Sequence, residues 1–378
     1  MHKRPFLILS LIALLLIISA CATATPSQGS ASPATSPLSV VTPATSQSSN
    51  ATSAIKATGN FQEYALPQTG SGLMRPAIDR QGRLWFGEMG HNYLAVFDPH
   101  TQQFQQMVPP HGASGIMGIV AASDGTIWFA EQYANYIGHY NPTTRHYQIY
   151  SLPTLTVPDP ANPNHALTLP SAPNDIALDA HGNLWFTEMN ADSIGMLNTS
   201  TGAFKSYPIS AQKSVQTLNP YGIAVDPQGM VWFTESSTAH IGRLDPNTGA
   251  IRFFTMPGST TSLMEIASDT HGAIWATSFN TGLLLKLDPD TETFTPYYAP
   301  FSGTTSGGLY GLSVSPNDEV WVTVSAENVI ARLDVAANRF IYYHIPTPAS
   351  LPIGIVMAPD RTVWFTEAGS DKVGMLQP

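Results

Sequence analysis

The sequence has little charge and almost no cysteine. Only 11% of its 378 residues are charged, and 26 acidic against 16 basic side chains give a formal net charge of −10. We therefore expect no nucleic-acid partner, because phosphate binding depends on clustered Lys and Arg. The single cysteine, Cys21, excludes an intrachain disulfide and a cluster of thiolate metal ligands. Motifs for a hydrolase nucleophile, a dinucleotide, a zinc protease site or an EF-hand are also missing.

The N-terminal segment carries two basic residues followed by an apolar run. Lys3 and Arg4 precede residues 6–20, a run shorter than the roughly 20 residues that cross a bilayer. This pattern is typical of a signal peptide over residues 1–20. The run ends in Ile-Ser-Ala-Cys, which resembles a bacterial lipobox and predicts lipidation of Cys21. A free, buried Cys21 after an ordinary cleavage site is the alternative. We expect an extracytoplasmic lipoprotein that contacts the membrane only through its lipid anchor.

Two further regions follow the signal peptide. Residues 21–59 are rich in Ala, Ser, Thr and Pro, so they cannot bury enough apolar surface to fold and are predicted to be a flexible tether. Residues 60–378 are predicted to form one monomeric domain. Across the whole chain, 43% hydrophobic residues, 29 Gly and 31 Pro favour a large core with many turns over long helices.

The seven tryptophans of the chain lie 43 to 57 residues apart, which is near the period of four-stranded propeller blades. They are Trp85, Trp128, Trp185, Trp232, Trp275, Trp321 and Trp364. Five of them belong to a phrase of the type Trp-Phe-Thr-Glu, which ends in Glu88, Glu131, Glu188, Glu235 and Glu367. A phrase repeated at this period predicts seven equivalent blades.

Each repeat contains four short runs of β-branched and aromatic residues separated by turn signals. In the fourth repeat these runs are residues 221–226, 230–235, 240–245 and 251–256. A Gly between the first and second run predicts a turn with positive φ. Small residues in the third run predict close approach of a neighbouring blade's Trp ring. Residues 61–67 match an outermost strand that the last repeat lacks, so the sequence predicts an all-β, seven-bladed propeller closed by its N-terminal strand.

The repeat phrase, followed by Ile-Gly-Arg/Met-Leu and an outer strand ending in Leu/Ile-Pro, resembles the streptogramin B lyase (virginiamycin B lyase) family over all seven repeats. The resemblance implies a seven-bladed propeller. It also implies a carbon–oxygen lyase that opens a cyclic depsipeptide antibiotic at its ester bond, with His and Glu at the channel mouth and Mg²⁺ as cofactor.

The resemblance places the family's catalytic histidines eleven residues before the Trp of late repeats. In this chain those positions hold Met74, Met117, Asn174, Tyr221, Met264, Tyr310 and Ile353, and none is histidine. Leu351 or Gly308 stands where the family has its glutamate. The next position along adds three charges, Arg75, Asp175 and Glu265. We expect these ten side chains to bind a ligand at the channel mouth, the alternative being a solvated ion-pair network around a water channel.

The same face gathers the loops between outer and inner strands. His111 and His165 lie in such loops and are candidate bases, the alternative being solvated side chains. His165 belongs to an insertion, residues 151–173, predicted to be a lid or a docking loop for a partner. The motif glutamates are expected to accept backbone N–H bonds from a neighbour, and a cation-binding carboxylate ring is the alternative.

Three functions are consistent with these features. The first is a propeller that binds a small molecule, glycan or peptide at its channel mouth, with no cofactor and no metal site assigned. The second is a Mg²⁺-dependent lyase or lactonase, of the streptogramin-lyase or gluconolactonase type, whose catalytic groups have moved to Arg75, Asp175, Glu265, His111 or His165. The third is an envelope scaffold that docks another protein.

Overall fold

The computed structural model describes residues 52–112, 114–159, 162–209, 218–256, 261–300 and 308–378. The predicted signal peptide, Cys21 and most of the predicted tether lie outside these residues. Within the described ranges, no helix combines the length and hydrophobicity that a bilayer span requires. The described chain folds into seven radially arranged sheets, which confirms the predicted seven-bladed propeller.

The N-terminal strands are β1 (Ser53–Ala57) and β2 (Asn60–Ala65). Blade 1 contains β3 (Leu73–Ile78), β4 (Leu84–Glu88), β5 (Tyr93–Asp98) and β6 (Gln103–Met107). Blade 2 contains β7 (Ile116–Ala121), β8 (Ile127–Glu131), β9 (Tyr136–Asn141) and β10 (His146–Ser151). A separate hairpin follows, made of β11 (Thr154–Asp159) and β12 (Asn162–Pro170). Blade 3 contains β13 (Pro173–Leu178), β14 (Asn183–Glu188), β15 (Ser193–Asn198) and β16 (Phe204–Pro208).

Blade 4 contains β17 (Pro220–Val225), β18 (Val231–Glu235), β19 (His240–Leu244) and β20 (Ile251–Thr255). Blade 5 contains β21 (Ile266–Ser268), β22 (Ile274–Ser278), β23 (Leu283–Asp288) and β24 (Thr293–Tyr298). Blade 6 contains β25 (Leu309–Val314), β26 (Val320–Val324), β27 (Val329–Asp334) and β28 (Arg339–His344). Blade 7 contains β29 (Pro352–Met357), β30 (Val363–Glu367) and β31 (Lys372–Gln377). The four strands predicted for the fourth repeat match β17 to β20 within one residue at each end.

Seven apolar cores hold the blades together, and each contains the Trp of one blade packed against strands of the next. Trp85 of blade 1, for example, packs with Ile127 and Phe129 of blade 2, and Trp364 of blade 7 packs with Leu84 and Phe86 of blade 1. Because every sheet is covered on both faces, its strands are apolar on both faces. An eighth apolar cluster lies on the central axis, where the innermost strands meet.

The turns between first and second strands explain why Asp, Gly and Trp recur together. In blade 1, Asp79 accepts hydrogen bonds from the backbone N–H groups of Gln81 and Arg83 and from the indole N–H of Trp85, at 2.7 to 3.0 Å. Gly82 has φ 76°, so the predicted positive-φ turn is confirmed. Asp318 and Arg361, which replace Gly in the last two turns, also have positive φ.

The expectation that a neighbouring blade's Trp lies over the third-strand glycines is wrong. The ring over each glycine is the Phe that follows the Trp in the same blade. A Cβ on Gly242 would lie 2.0 Å from the Phe233 ring, and Phe233 is its direct cross-strand partner. The same pairing joins Phe129 with Gly138. The Trp side chains face the other side of the sheet, toward the next blade.

The N-terminal region closes the ring, and it extends further than the sequence indicated. Strand β2 pairs antiparallel with β31 and completes blade 7, as predicted. Strand β1 lies inside the predicted tether and pairs parallel with β28 as a fifth strand of blade 6. The boundary at residue 60 is therefore corrected to Thr52, which is buried and accepts a hydrogen bond from the Tyr298 N–H at 3.1 Å.

Candidate functional site at the mouth of the central channel

The innermost strands bring together, on the axis, the seven residues that lie eleven positions before each Trp, called here the ring residues. In six blades the first strand has a register shift, such as the one between Leu73 and Pro76, and the ring residues lie at this irregularity. Six of the seven predicted positions form one buried apolar cluster, called here the axial cluster: Met74, Met117, Tyr221, Met264, Tyr310 and Ile353. The seventh, Asn174, is fully buried and donates a hydrogen bond to the Tyr221 carbonyl at 2.9 Å.

The axial cluster fills the channel at this level. The hydroxyls of Tyr221 and Tyr310 hydrogen-bond to each other across the axis, and their rings meet edge to face with centroids 6.4 Å apart. Both tyrosines are 2% exposed, so they are not surface groups. The sequence therefore predicted correctly that these residues converge, but the layer facing solvent lies above them.

That upper layer is a half-buried apolar rim made of Met89, Met189, Phe279, Leu351 and Ala368, all packed on the axial cluster. Four of these residues directly follow the second strand of their blade, at the position after the motif glutamate or its replacement. The sequence analysis missed this rim, although the position after the motif glutamate could have indicated it. Tyr133, in the corresponding loop of blade 2, is 52% exposed.

Three predicted charges meet below the rim. Arg75 binds Glu265 through two contacts, Nε to Oε2 at 2.9 Å and Nη2 to Oε1 at 2.6 Å. Its Nε also lies 3.6 Å from Oδ1 of Asp175. All three residues are 7 to 8% exposed. The charges therefore meet as predicted, but as a buried ion-pair group, so neither a solvated network nor an accessible set of ligand contacts describes them.

The electrostatics of this group follow from burial. Desolvation raises the pKa of Asp175 and of Glu265, and the Arg75 charge opposes that rise. Burial alone would lower the pKa of Arg75, but the two carboxylates raise it well above its usual value. The guanidinium also lies 5.0 Å from the Tyr221 ring centre. The three charged groups are therefore buried and paired with one another.

The threonine of the repeat phrase links adjacent blades around the axis. In blade 7 the Thr366 hydroxyl accepts from the Gly354 N–H at 2.9 Å and donates to the Met74 carbonyl of blade 1 at 3.0 Å. Thr187, Thr234, Thr277 and Thr323 make the same bridge to the blade that follows theirs. In blade 1 the position is Gly87, where a Cβ would lie 2.6 Å from the Ile116 carbonyl. The axial ring is therefore held by side chain to backbone bonds as well as by packing.

The motif glutamates are buried, and three of them accept hydrogen bonds within their own blade. Glu88 accepts from Gln106 at 2.7 Å, Glu188 from Ser206 at 3.0 Å and Glu367 from Ser370 at 2.9 Å. These partners are side chains of the same blade, so the expected backbone donors from a neighbour are wrong. Neither carboxylate oxygen of Glu131 has a partner in the described chain, and burial raises its pKa to about 7.

The motif glutamates do not form the cation-binding ring considered from the sequence. In the described part of the chain, the one group of three or more His, Cys, Asp or Glu side chains within reach of one ion is Asp269, His271 and Asp318. It lies at the turns of the opposite face, where Asp269 already holds the Trp275 indole at 3.1 Å.

The two loop histidines are separated. His111 stacks on Tyr136, with ring centres 4.2 Å apart, in the connection between blades 1 and 2. His165 is exposed on β12. The insertion that holds it forms the β11–β12 hairpin, whose base is tied to blade 3 by hydrogen bonds from Asn190 to Pro170 and Ser171 at 3.1 Å.

Comparison with known proteins relates this geometry to one family. The model of the virginiamycin B lyase family matches residues 156–295, from the hairpin through blade 5. A streptogramin B lyase structure is 25% identical, with a TM-score of 0.73, and covers 84% of this chain and 97% of its own. Virginiamycin B lyase from Staphylococcus aureus is 24% identical, with a TM-score of 0.72, over 85% of this chain and 99% of that one.

A further solved structure is a catalytically inactive variant of the Staphylococcus aureus enzyme with quinupristin, also 24% identical with a TM-score of 0.72. No curated protein matches the chain. Fold, repeat phrase and family-model match agree: this chain is a seven-bladed β-propeller that is similar to the streptogramin B lyase (virginiamycin B lyase) family.

Proposed function

We propose that this propeller binds an apolar, peptide-like small molecule on its rim without cleaving it. This proposal is supported mainly by the apolar rim of Met89, Met189, Phe279 and Leu351, which lies above a filled channel. Methionine and aromatic side chains adapt to irregular apolar ligands. The quinupristin complex of a structural relative suggests the ligand class.

The chemical groups near the rim favour binding of a ligand without its cleavage. A catalytic base must come within hydrogen-bond reach of the proton it removes. The ring positions that carry the family's histidines here hold buried Met, Asn, Tyr and Ile side chains. Mg²⁺ prefers carboxylate, carbonyl and water oxygens. On the axis, Asp175 and Glu265 are engaged by Arg75, and beside the rim Glu88 and Glu188 accept from Gln106 and Ser206, so these carboxylates do not fit magnesium.

We further propose that this binding takes place outside the cytoplasm, from a lipid anchor at Cys21. The support is the basic, apolar and lipobox-like order of residues 1–21. Metabolic labelling with a radioactive fatty acid should label the wild-type chain and leave Cys21→Ser unlabelled. Labelling of the variant, or its absence in both chains, would remove the anchor from the proposal.

Binding and cleavage can be separated with quinupristin as the probe. Calorimetric titration should give saturable binding, and mass spectrometry after incubation with Mg²⁺ should recover the intact ring. Phe279→Ala and Met189→Ala should each weaken binding by at least about tenfold, or about 1.4 kcal/mol. Val335→Ala, at an exposed apolar residue beside the β27–β28 turn, is the matched control. Absence of binding, or turnover of the ester, would contradict the proposal.

A further inference from the structure

Methionines concentrate at the channel mouth far more than elsewhere in the molecule. Five of the twelve in the sequence meet there: Met74, Met117 and Met264 in the axial cluster, and Met89 and Met189 in the rim. They come from blades 1, 2, 3 and 5. Three occupy the same repeat position, where the Tyr and Ile side chains of blades 4, 6 and 7 are also buried. Apolar filling alone therefore does not explain the choice of sulfur.

Thioether sulfur differs from a methylene group in being a soft ligand. Met sulfurs favour Cu(I), whereas carboxylate and carbonyl oxygens favour Mg²⁺ and Ca²⁺. The Met189 sulfur acts as an electron-pair donor in the structure, since it accepts a hydrogen bond from Gln132 Nε2 at 3.3 Å; the same Nε2 donates to Oδ1 of Asn174 at 3.2 Å. We propose that the methionines of the rim and the axial cluster form a binding site for a soft monovalent cation of the Cu(I) class.

The charge below the cluster agrees with a single positive charge. One Arg with two carboxylates, Asp175 and Glu265, has a formal net charge of −1 when all three are ionised. This group lies one residue further along the same inner strands that carry Met74 and Met264. The rings of Tyr310 and Phe279 border the site, and aromatic faces attract cations. Neutral thioethers next to a group of formal net charge −1 suit a monovalent ion better than a divalent one.

Metal binding at this site requires the thioether sulfurs, whereas binding of an apolar ligand requires the shape and volume of the side chains. Met→Leu substitutions separate them, because Leu keeps most of the apolar volume and removes the thioether. All proteins for the test carry Cys21→Ser, which removes the lone thiol. Ag(I), which is not prone to redox change, is titrated calorimetrically in chloride-free buffer. Cu(I) affinity is measured anaerobically by competition with a chromogenic chelator.

We expect one Ag(I) or Cu(I) ion per chain in the parent protein, which carries Cys21→Ser alone. Met89→Leu and Met189→Leu should each lower the affinity by at least about tenfold. Met375→Leu, in the core between blades 7 and 1, and Met107→Leu, at the end of β6, are the controls and should leave it unchanged. X-ray absorption of the Cu(I) complex should show sulfur neighbours.

The outcomes distinguish the two proposals. Quinupristin binding by the parent protein, together with an Ag(I) affinity that falls in Met89→Leu and Met189→Leu, supports both. No saturable Ag(I) or Cu(I) binding in the parent protein, or equal losses in the rim and control variants, would overturn the metal site and leave ligand binding standing. Ag(I) binding without quinupristin binding would overturn only the proposed function.

Discussion

At the scale of single residues, the buried carboxyl of Glu131 stands out. Its equivalents in blades 1 and 3 accept bonds from Gln106 and Ser206, but blade 2 has Ile149 at that cross-strand position. The nearby Tyr147 hydroxyl is also buried without a partner in the described chain, and its pKa is raised. Glu131 is therefore stable in this site mainly as the neutral acid.

The raised pKa of Glu131 predicts a pH-dependent loss of stability. Its ordinary value is 4.5 and its folded value is about 7, so the folded state binds more protons between these limits and stability falls as pH rises through that window. The full effect is up to about 3 kcal/mol. Glu131→Gln should flatten this slope in urea unfolding measured from pH 4.5 to 8. Glu292→Gln, at an exposed surface carboxyl, is the control and should leave the slope unchanged, and an unchanged slope in Glu131→Gln would contradict the assignment.

At the scale of the element, each blade is organised by its cross-strand pairs. The Phe233 ring covers Gly242, whereas blade 6 has Val322 opposite Ala331 and blade 5 has Ala276 opposite Leu285. A large side chain on one strand is thus matched by a small one on the other. Both the aromatic residues and the glycines are visible in the sequence. Spacing along the chain does not show which aromatic ring faces which glycine, so the prediction of a neighbouring blade's Trp is wrong.

This matching predicts non-additive substitutions in blade 4. Gly242→Ala places a methyl group inside the Phe233 ring and should cost about 1–3 kcal/mol of unfolding free energy. Phe233→Val alone leaves a cavity. The double variant reproduces the Val–Ala pair of blade 6 and should be more stable than the sum of the single changes predicts, by about 0.5–3 kcal/mol. Denaturant unfolding of the four proteins gives the coupling, and strict additivity would contradict a direct steric pair.

At the scale of the whole molecule, much of the fold was predictable because the repeats are regular. The repeated Trp motif predicts the number of blades, and the turn glycines predict where the first and second strands are joined. Residues 61–67 predict that the N-terminal strand closes the ring. Strand β1 was missed because its Ser-Ala-Ile-Lys-Ala sequence has a weak apolar pattern and an exposed Ile55. At the mouth of the central channel, the position within the repeat shows which residues converge. It does not show whether these residues leave an opening.

The buried ion-pair group joins blades 1, 3 and 5 across the axis, so its loss should affect the whole ring. Arg75→Met leaves Asp175 and Glu265 buried without their cation and should cost about 3–5 kcal/mol of unfolding free energy. Arg75→Met with Glu265→Met removes one carboxylate as well and should regain most of that loss. Thermal and urea unfolding measure both. A double variant as unstable as Arg75→Met would contradict the pairing.

Closure of the ring by β2 gives the strongest global prediction. Phe61 packs against the core that contains Phe365 and Leu376, and Tyr64 packs against the core that contains Trp364 and Phe97. Removing residues 1–65 uncovers both cores and exposes the edge of β31, so cooperative unfolding should shift to much lower denaturant or disappear. Removing only residues 1–58 deletes β1, whose buried apolar contacts come from small side chains such as Ala54 and Ala57, and should cost far less. Hydrogen exchange should report faster exchange throughout β31 in the longer truncation and mainly at β28 in the shorter one. Equal stability of the two truncations would mean that the ring is closed by the blade cores alone, without a contribution from the N-terminal strand.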